Sequence, residues 1–225
     1  MSKEEHVDDH INYTPDFTGD DFIHDKDIQK VRNEIKAYKQ LVENSISVIL
    51  RELNLQQSSH ENLNAFSIFS SLQATLIKSF RPINPSLKLV VTLAQYSSSF
   101  PIGKSANAGT YEYVFGCLSL RKKFPKTFIC KETMKEKIAE LFLKTETDFT
   151  EHKKFSRKFF VLTQNEQTLA DLIRLKNLEE LTAFPDMEIE IHENACLLRN
   201  SRRSVTPEEA IEFSKLTKTL IRILN

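Results

Sequence analysis

Three polar residues near the C-terminal end of the chain have the spacing of a chemical site. Glu188, Glu190 and His192 alternate with apolar residues, so a strand here places all three on one face. Carboxylate and imidazole groups in this arrangement serve acid–base chemistry or metal binding, although a further partner must come from another strand. The same alternation is typical of a strand with one face in solvent. We favour this second interpretation.

Gly103-Lys104-Ser105 follows a predicted strand, as the end of a phosphate-binding loop does. The match fails at Ser98, where such a loop needs glycine, and at Pro101, which has no N–H to donate. The next residues, ANAGTYEYVF, are typical of a strand and not of the required helix. The sequence therefore argues against a nucleotide site.

The three cysteines, Cys117, Cys130 and Cys196, lack the spacing of a zinc or redox site, and their odd number does not indicate a disulfide framework. No serine, cysteine or threonine lies in a glycine-flanked turn of the kind that holds a catalytic nucleophile. The sequence thus predicts no catalytic residue, no cofactor and no metal.

Positive charge is concentrated in predicted turns and strand flanks. If these stretches share one sheet edge, they form an anion-binding surface for nucleic acid or an acidic membrane surface. The formal net charge of zero argues against nucleic acid, and peripheral membrane contact stays open. Solubilising charges are the simpler interpretation. The candidate residues are Arg121, Lys122, Lys123, Lys153, Lys154, Arg157, Arg202 and Arg203.

An acidic extension opens the chain. Residues 1–27 hold nine acidic side chains against two lysines, a net charge of −7, which leaves +7 on the remainder. Residues 1–24 show no apolar periodicity, so we expect a mobile extension. A regulatory arm that competes for the basic surface is the alternative.

Two helices are predicted after the extension. Apolar residues at spacings of three and four indicate a helix from Asp25 to about Leu55; they are Ile28, Val31, Ile35, Tyr38, Val42, Ile46 and Ile49. Ser58 and Glu61 match a capping box ahead of a second apolar run, which predicts a helix over 59–80. Residues 25–82 are therefore interpreted as a helical hairpin that packs on the rest of the chain or dimerises.

The remainder, residues 84–225, indicates an α+β domain with a mainly antiparallel sheet and helices on one face. Strands are predicted at 87–93, in TYEYVFGCLSL and KTFICKE around a basic turn at 121–125, and at 157–163. A hairpin is predicted from strands 187–192 and 195–199, turned by Glu193-Asn194. Helices are predicted over 132–144 and 165–183, and a last helix begins at Thr206-Pro207-Glu208-Glu209.

Three stretches, FPKTFICKE (124–132), DFTEHKKFSRKFFVLTQNE (148–166) and EIEIHENACLLRNSRRSVTPEEAIEF (188–213), carry a family resemblance. From about residue 111 onward the chain resembles the C-terminal domain of a family of uncharacterised bacterial proteins, many with membrane helices ahead of it. The matching positions are Phe149, His152, Phe155, Ser156, Pro207 and Glu208. Lys131 directly precedes Glu132 where the family often has proline between, and helices of soluble type replace the membrane segment. The resemblance implies a fold and no activity.

The sequence predicts a cytoplasmic protein, since its 225 residues contain no signal peptide and no apolar span long enough for a membrane. The resemblance implies a bacterial cell. The leading functional hypothesis is a non-enzymatic protein-interaction module that binds a protein partner or self-associates. An anion-binding module is the first alternative. A hydrolase or transferase whose site forms only in three dimensions is the second.

Overall fold

The computed structural model describes residues 25–102, 105–131, 153–163, 165, 178–200 and 206–224. The predicted acidic extension, the predicted helix over 132–144 and most of the predicted helix over 165–183 lie outside this part. Its helices are α1 (Asp25–Leu53), α2 (Ser67–Ser70), α3 (Lys153–Ser156), α4 (Leu178–Leu181) and α5 (Pro207–Leu224). Its strands are β1 (Leu55–Ser58), β2 (Thr75–Pro82), β3 (Leu89–Ile102), β4 (Ser105–Lys131), β5 (Phe159–Thr163) and β6 (Met187–Asn200).

The strands form one antiparallel sheet in the order β1-β2-β3-β4-β5, with β6 paired to β4. The first part of β4 pairs with β3, where Leu118 lies opposite Leu89, and its last part pairs with β5, where Lys131 lies opposite Phe159. β6 pairs with both parts of β4. The predicted α+β class with a mainly antiparallel sheet is confirmed.

β4 and β6 are sharply bent where their pairing register shifts. On β4 the shifts lie between Ser119 and Thr127, and on β6 Glu193 has a φ of 51°, in the left-handed region used at bulges. Eleven residues of straight strand would separate Glu188 from Arg199 by about 36 Å. Their side chains are instead in contact, so the two arms of β6 fold back toward each other.

This bend corrects two predictions. The two arms of β6 both pair with β4 and not with each other, so the predicted hairpin turned by Glu193-Asn194 is wrong. TYEYVFGCLSL and KTFICKE are likewise two arms of the single strand β4, and residues 121–125 lie inside it at the register shift. A bulge and a turn use similar residues, because both interrupt the alternation of a strand.

The predicted helix over 59–80 is also wrong. Only Ser67–Ser70 within it is helical, and Thr75–Pro82 is a strand between β1 and β3. The apolar residues that suggested helical spacing, such as Leu63 and Phe69, instead pack on one face of the sheet. Glu61 does not cap a helix but forms an ion pair with Arg81 at 2.7 Å.

Two apolar clusters lie on the two faces of the sheet. The larger contains the buried side chains of α1 and α5, which pack on one face. The smaller contains Leu63, Phe66, Ile68 and Phe69 from α2 and its flank, against Phe115 and Phe128 of the sheet. Gly116 permits the close approach of α5, because a Cβ there would lie 3.1 Å from the Phe213 ring.

α5 begins at the predicted Thr206 cap, where Thr206 and Glu209 form a capping box. The N–H of Glu209 donates to Thr206 Oγ1 at 3.2 Å, and the N–H of Thr206 donates to Glu209 Oε2 at 2.9 Å. These reciprocal bonds satisfy donors that the first turn of a helix leaves unpaired. The helix also reaches α1 through an ion pair of Lys218 with Glu52 at 3.1 Å.

Candidate functional site

α1 is one helix with two different halves. In its second half, Val42, Ile46, Ile49 and Leu53 are buried against α5 and the sheet. In its first half the same stripe is only partly covered, and Ile35 is 50% exposed. The apolar stripe therefore continues beyond the part of the helix that the fold covers.

The stripe follows a heptad repeat, which is the pattern by which helices pair. Ile28, Ile35, Val42 and Ile49 are spaced by seven, and Val31 and Tyr38 each follow three residues after one of them. These are the a and d positions of a coiled coil. The second half of the helix uses this stripe to pack within the chain, whereas the first half presents it outward.

Charged residues flank the outward stripe. Glu34 occupies the position before Ile35, called g, while Arg32 and Lys39 occupy the e positions. All three are exposed. On the outer face, Gln29 Nε2 donates one side-chain hydrogen bond to Asn33 Oδ1 at 3.3 Å, one turn along the helix. Polar contacts of this kind stabilise a helix that extends into solvent.

Tyr38 marks the boundary between the two halves. Its hydroxyl donates a short hydrogen bond to Glu112 of β4. Burial raises the pKa of the Tyr38 phenol well above its usual value, and the neighbouring Glu112 carboxylate raises it further. This bond fixes α1 to the sheet at the point from which the helix extends outward.

Three other large apolar side chains of the described residues are exposed. They are Ile77 on β2, Ile83 just after it and Ile211 on α5. Ile83, at 55%, is even more exposed than Ile35 but lies in a bend and not on a helical stripe. Single exposed apolar residues are ordinary on protein surfaces, so the stripe and not the isoleucine itself distinguishes α1.

A second unusual group is an ion pair between the two arms of β6. Arg199 Nε donates to Glu188 Oε2 at 2.6 Å, and both side chains are nearly inaccessible to solvent. The guanidinium carbon also lies 5.0 Å from the Tyr113 ring centre and 5.8 Å from that of Phe115. Such stacking favours arginine over lysine, because the guanidinium is planar and weakly hydrated.

Glu190 performs a related role on the same face. Its Oε2 accepts a hydrogen bond from the N–H of Ile68, in the first turn of α2, at 2.8 Å. Lys126 Nζ lies 3.9 Å from its Oε1 and bonds Ser67 at 3.3 Å. The carboxylate thus joins β6 to both β4 and α2.

The interpretation of Glu188 and Glu190 as a solvated face is wrong, since their exposed fractions are 1% and 0%. His192 is half-buried. Among the described residues, no hydrogen-bond partner is found for Oε1 of Glu188, Oε1 of Glu190 or Nη1 of Arg199. Each carboxylate nevertheless has a cation beside it, which is how buried charges are tolerated. We interpret this group as a structural connection between strands.

The predicted anion-binding residues lie in separate places. Arg121, Lys122 and Lys123 are exposed at the register shift of β4, beyond the Thr163 end of β5. Lys153, Lys154 and Arg157 lie in or next to α3, at the opposite end of β5, and the latter two are exposed. Arg202 and Arg203 lie outside the described residues. A single basic surface therefore remains a prediction.

All three cysteines are free thiols. Burial raises the pKa of half-buried Cys117 to about 12, with a smaller contribution from the Glu61 carboxylate. Burial also raises the pKa of Cys196. The Cys117 and Cys196 thiols are therefore protonated near neutral pH, which makes them poor nucleophiles and metal ligands.

Comparisons with known proteins leave the chain without an assigned family. No family model, no curated protein and no solved structure matches it. The bacterial-family resemblance accordingly stays a prediction. Within the described ranges, no helix is long and apolar enough to cross a membrane, and no three His, Cys, Asp or Glu side chains are grouped so that they could hold a metal.

Sequence reasoning missed two features of these sites. It found the α1 stripe but not its division, because burial depends on where α5 and the sheet end. It placed Glu188 and Glu190 on one face but missed their cations, since Lys126 is on another strand and Arg199 returns only through the bend. The heptad spacing of Ile28, Ile35 and Val42 was a readable signal for pairing.

Proposed function

We propose that this protein is an interaction module that binds another protein chain through the first half of α1. The observation that carries the proposal is the exposure of Ile35 within a stripe whose continuation, from Val42 onward, is buried. A partner helix that packs along this stripe would bury the apolar residues that the fold of this chain leaves partly exposed.

The energetics favour such a contact. Fully burying an exposed isoleucine or valine side chain contributes about 1.5–3 kcal/mol, and Ile28, Val31 and Ile35, which the fold already covers in part, would each contribute part of this. An isolated helix would first have to form, which is costly. Here the buried second half of α1 and the Tyr38–Glu112 bond hold the helix in place, so less ordering accompanies binding.

Site-specific photo-crosslinking tests the proposal in the native cell. A photoreactive amino acid replaces Ile35 in one variant and Ile83, an equally exposed isoleucine away from α1, in the matched control. We expect a protein–protein adduct from position 35 and little from position 83. Adducts of equal yield from both positions, or none from position 35, would contradict a binding surface on α1.

The anion-binding alternative has one observation in its favour, the three adjacent exposed cations Arg121, Lys122 and Lys123. It predicts retention on heparin or on anionic vesicles that weakens with salt, because phosphate and sulfate contacts release counterions. Replacement of the three by alanine would reduce that retention. Retention that the triple variant leaves unchanged would remove this candidate.

A cytoplasmic location forms part of the proposal, supported by three free cysteines, which suit a reducing compartment. Bacterial origin is supported only by the sequence resemblance. Fractionation of the native cell tests the location, and recovery of the chain in an oxidising compartment would overturn it.

A further inference from the structure

We infer that the partner of α1 is a second copy of this chain, paired in parallel along the stripe that begins at Ile28 and ends at Tyr38. This inference rests on the proposed function and adds to it the identity and orientation of the partner. It is argued from the apolar positions, the flanking charges and the extent of the uncovered stripe.

The apolar positions suit a two-helix contact. Ile28 and Ile35 occupy the a positions and Val31 a d position, so all three side chains lie on the seam along which helices of a coiled coil pair. The d position of the next heptad is Tyr38, which is already bonded to Glu112. The contact therefore ends where the helix joins its own fold.

The flanking charges are complementary to those of an identical helix. In a parallel pair, a g residue faces the e residue five positions later on the partner, so Glu34 of each copy faces Lys39 of the other. An antiparallel pair places e residues opposite e residues, and the cations Arg32 and Lys39 would repel. Self-complementary charge is a requirement of pairing with an identical chain and not of binding an unrelated one.

The uncovered stripe is short. From Ile28 to Tyr38 the helix rises about 15 Å, which allows only the three layers of Ile28, Val31 and Ile35 before the fold covers the stripe. Stable interfaces bury more surface than so short a contact provides. We therefore expect a dimer in equilibrium with monomer, and not a permanent one.

Sedimentation equilibrium of the purified full chain over a range of concentrations measures this directly. The wild-type chain should show a monomer–dimer equilibrium. Ile35→Asp should weaken it by at least about tenfold, because a charge enters the apolar seam. Ile83→Asp, the matched control, should leave it unchanged.

Charge exchange tests the partner and the orientation together. Glu34→Lys alone and Lys39→Glu alone should each weaken self-association by about threefold, because each places like charges opposite one another. The double variant should restore it. An equimolar mixture of the two single variants should form heterodimers in preference to either homodimer, since both facing pairs are then opposite in charge.

The outcomes separate the inference from the proposed function. A strict monomer at every concentration overturns the inference. If position 35 still crosslinks a different protein in the cell, the proposed function stands although the inference of a second copy is wrong. If position 35 crosslinks nothing, the inference and the proposed function are both wrong. Self-association that Glu34→Lys and Lys39→Glu leave unchanged overturns the parallel arrangement.

Discussion

Ile35 and Glu188 are both in environments that their residue types seldom occupy, and the fold treats them differently. Ile35 is an apolar side chain half exposed to solvent, and Glu188 is a carboxylate with an exposed fraction of 1%. The buried carboxylate has a matched cation, Arg199, that the bend in β6 brings to it. No comparable cover for the Ile35 stripe is found in the described part of the chain. We infer from this difference that the Glu188–Arg199 pair is structural, and it supports the proposal that the Ile35 stripe binds another chain.

The largest effect that would test this comparison is the loss of Arg199. Arg199→Ala leaves Glu188 buried beside no cation and removes the stacking on Tyr113, so unfolding should become easier by about 3–5 kcal/mol. Urea denaturation at neutral pH measures it.

A double variant provides the control for that change. Replacing both partners, Glu188→Leu with Arg199→Met, removes the buried charges together, and most of the lost stability should return. A loss below about 1 kcal/mol in the free energy of unfolding of Arg199→Ala would show that the ion pair is hydrated. Such a result would contradict a structural role for Glu188.

The Glu190 connection should be weaker. Lys126 is partly exposed and lies 3.9 Å from the carboxylate, which keeps its bond to the Ile68 N–H. We expect Lys126→Ala to cost about 1–2 kcal/mol in the same denaturation measurement. A cost as large as that of Arg199→Ala would mean that exposure does not distinguish the two ion pairs.

Tyr38, at the boundary of the two halves of α1, gives a pH-dependent test. Its pKa is raised in the folded chain, so the unfolded chain loses this proton first, beginning near its ordinary value of 10.0. The stability that this proton contributes is fully present below pH 10 and declines above it. Tyr38→Phe should reduce that alkaline decline, as followed by thermal unfolding between pH 8 and pH 11, values set by the usual tyrosine pKa of about 10. An identical decline in both proteins would assign it to other groups.

The smallest change in stability is expected at Ile35. Ile35→Asp should alter the free energy of unfolding of the monomer by less than about 0.5 kcal/mol, because the side chain is half exposed and supports little of the core. Denaturation at a concentration below the dimer range measures it. A loss of several kcal/mol would show that the stripe is part of the monomer core.

The sequence predicts the elements that depend on interactions between residues close together in the chain, and not those that depend on pairing between distant residues. α1 and α5 follow from apolar periodicity and from the Thr206–Glu209 capping box, which are local signals. The region from Leu63 to Leu76 has helical spacing too, but Leu63 and Phe69 pack on the sheet around the short α2, and the chain from Thr75 onward pairs between β1 and β3 as β2. Pairing between strands that are distant in sequence cannot be read from the local spacing of apolar residues, so the helix prediction was wrong there.

The bent strands show the same limit at the candidate sites. The residues around Glu193 are compatible with a bulge or with a hairpin turn. Only the pairing of both arms of β6 with β4 distinguishes the two. The contact of Glu188 with Arg199 depends on that bend. The stripe on α1, in contrast, was visible in the sequence, whereas its exposure depends on where the rest of the fold ends.

Amide hydrogen exchange along α1 at several protein concentrations tests the central claim most directly. If the first half of the helix pairs with a second copy, protection of residues 28–40 rises with concentration, while protection of the buried residues 42–53 is high and constant. Equal protection in both halves at every concentration would contradict a division of α1 into a packing half and a binding half.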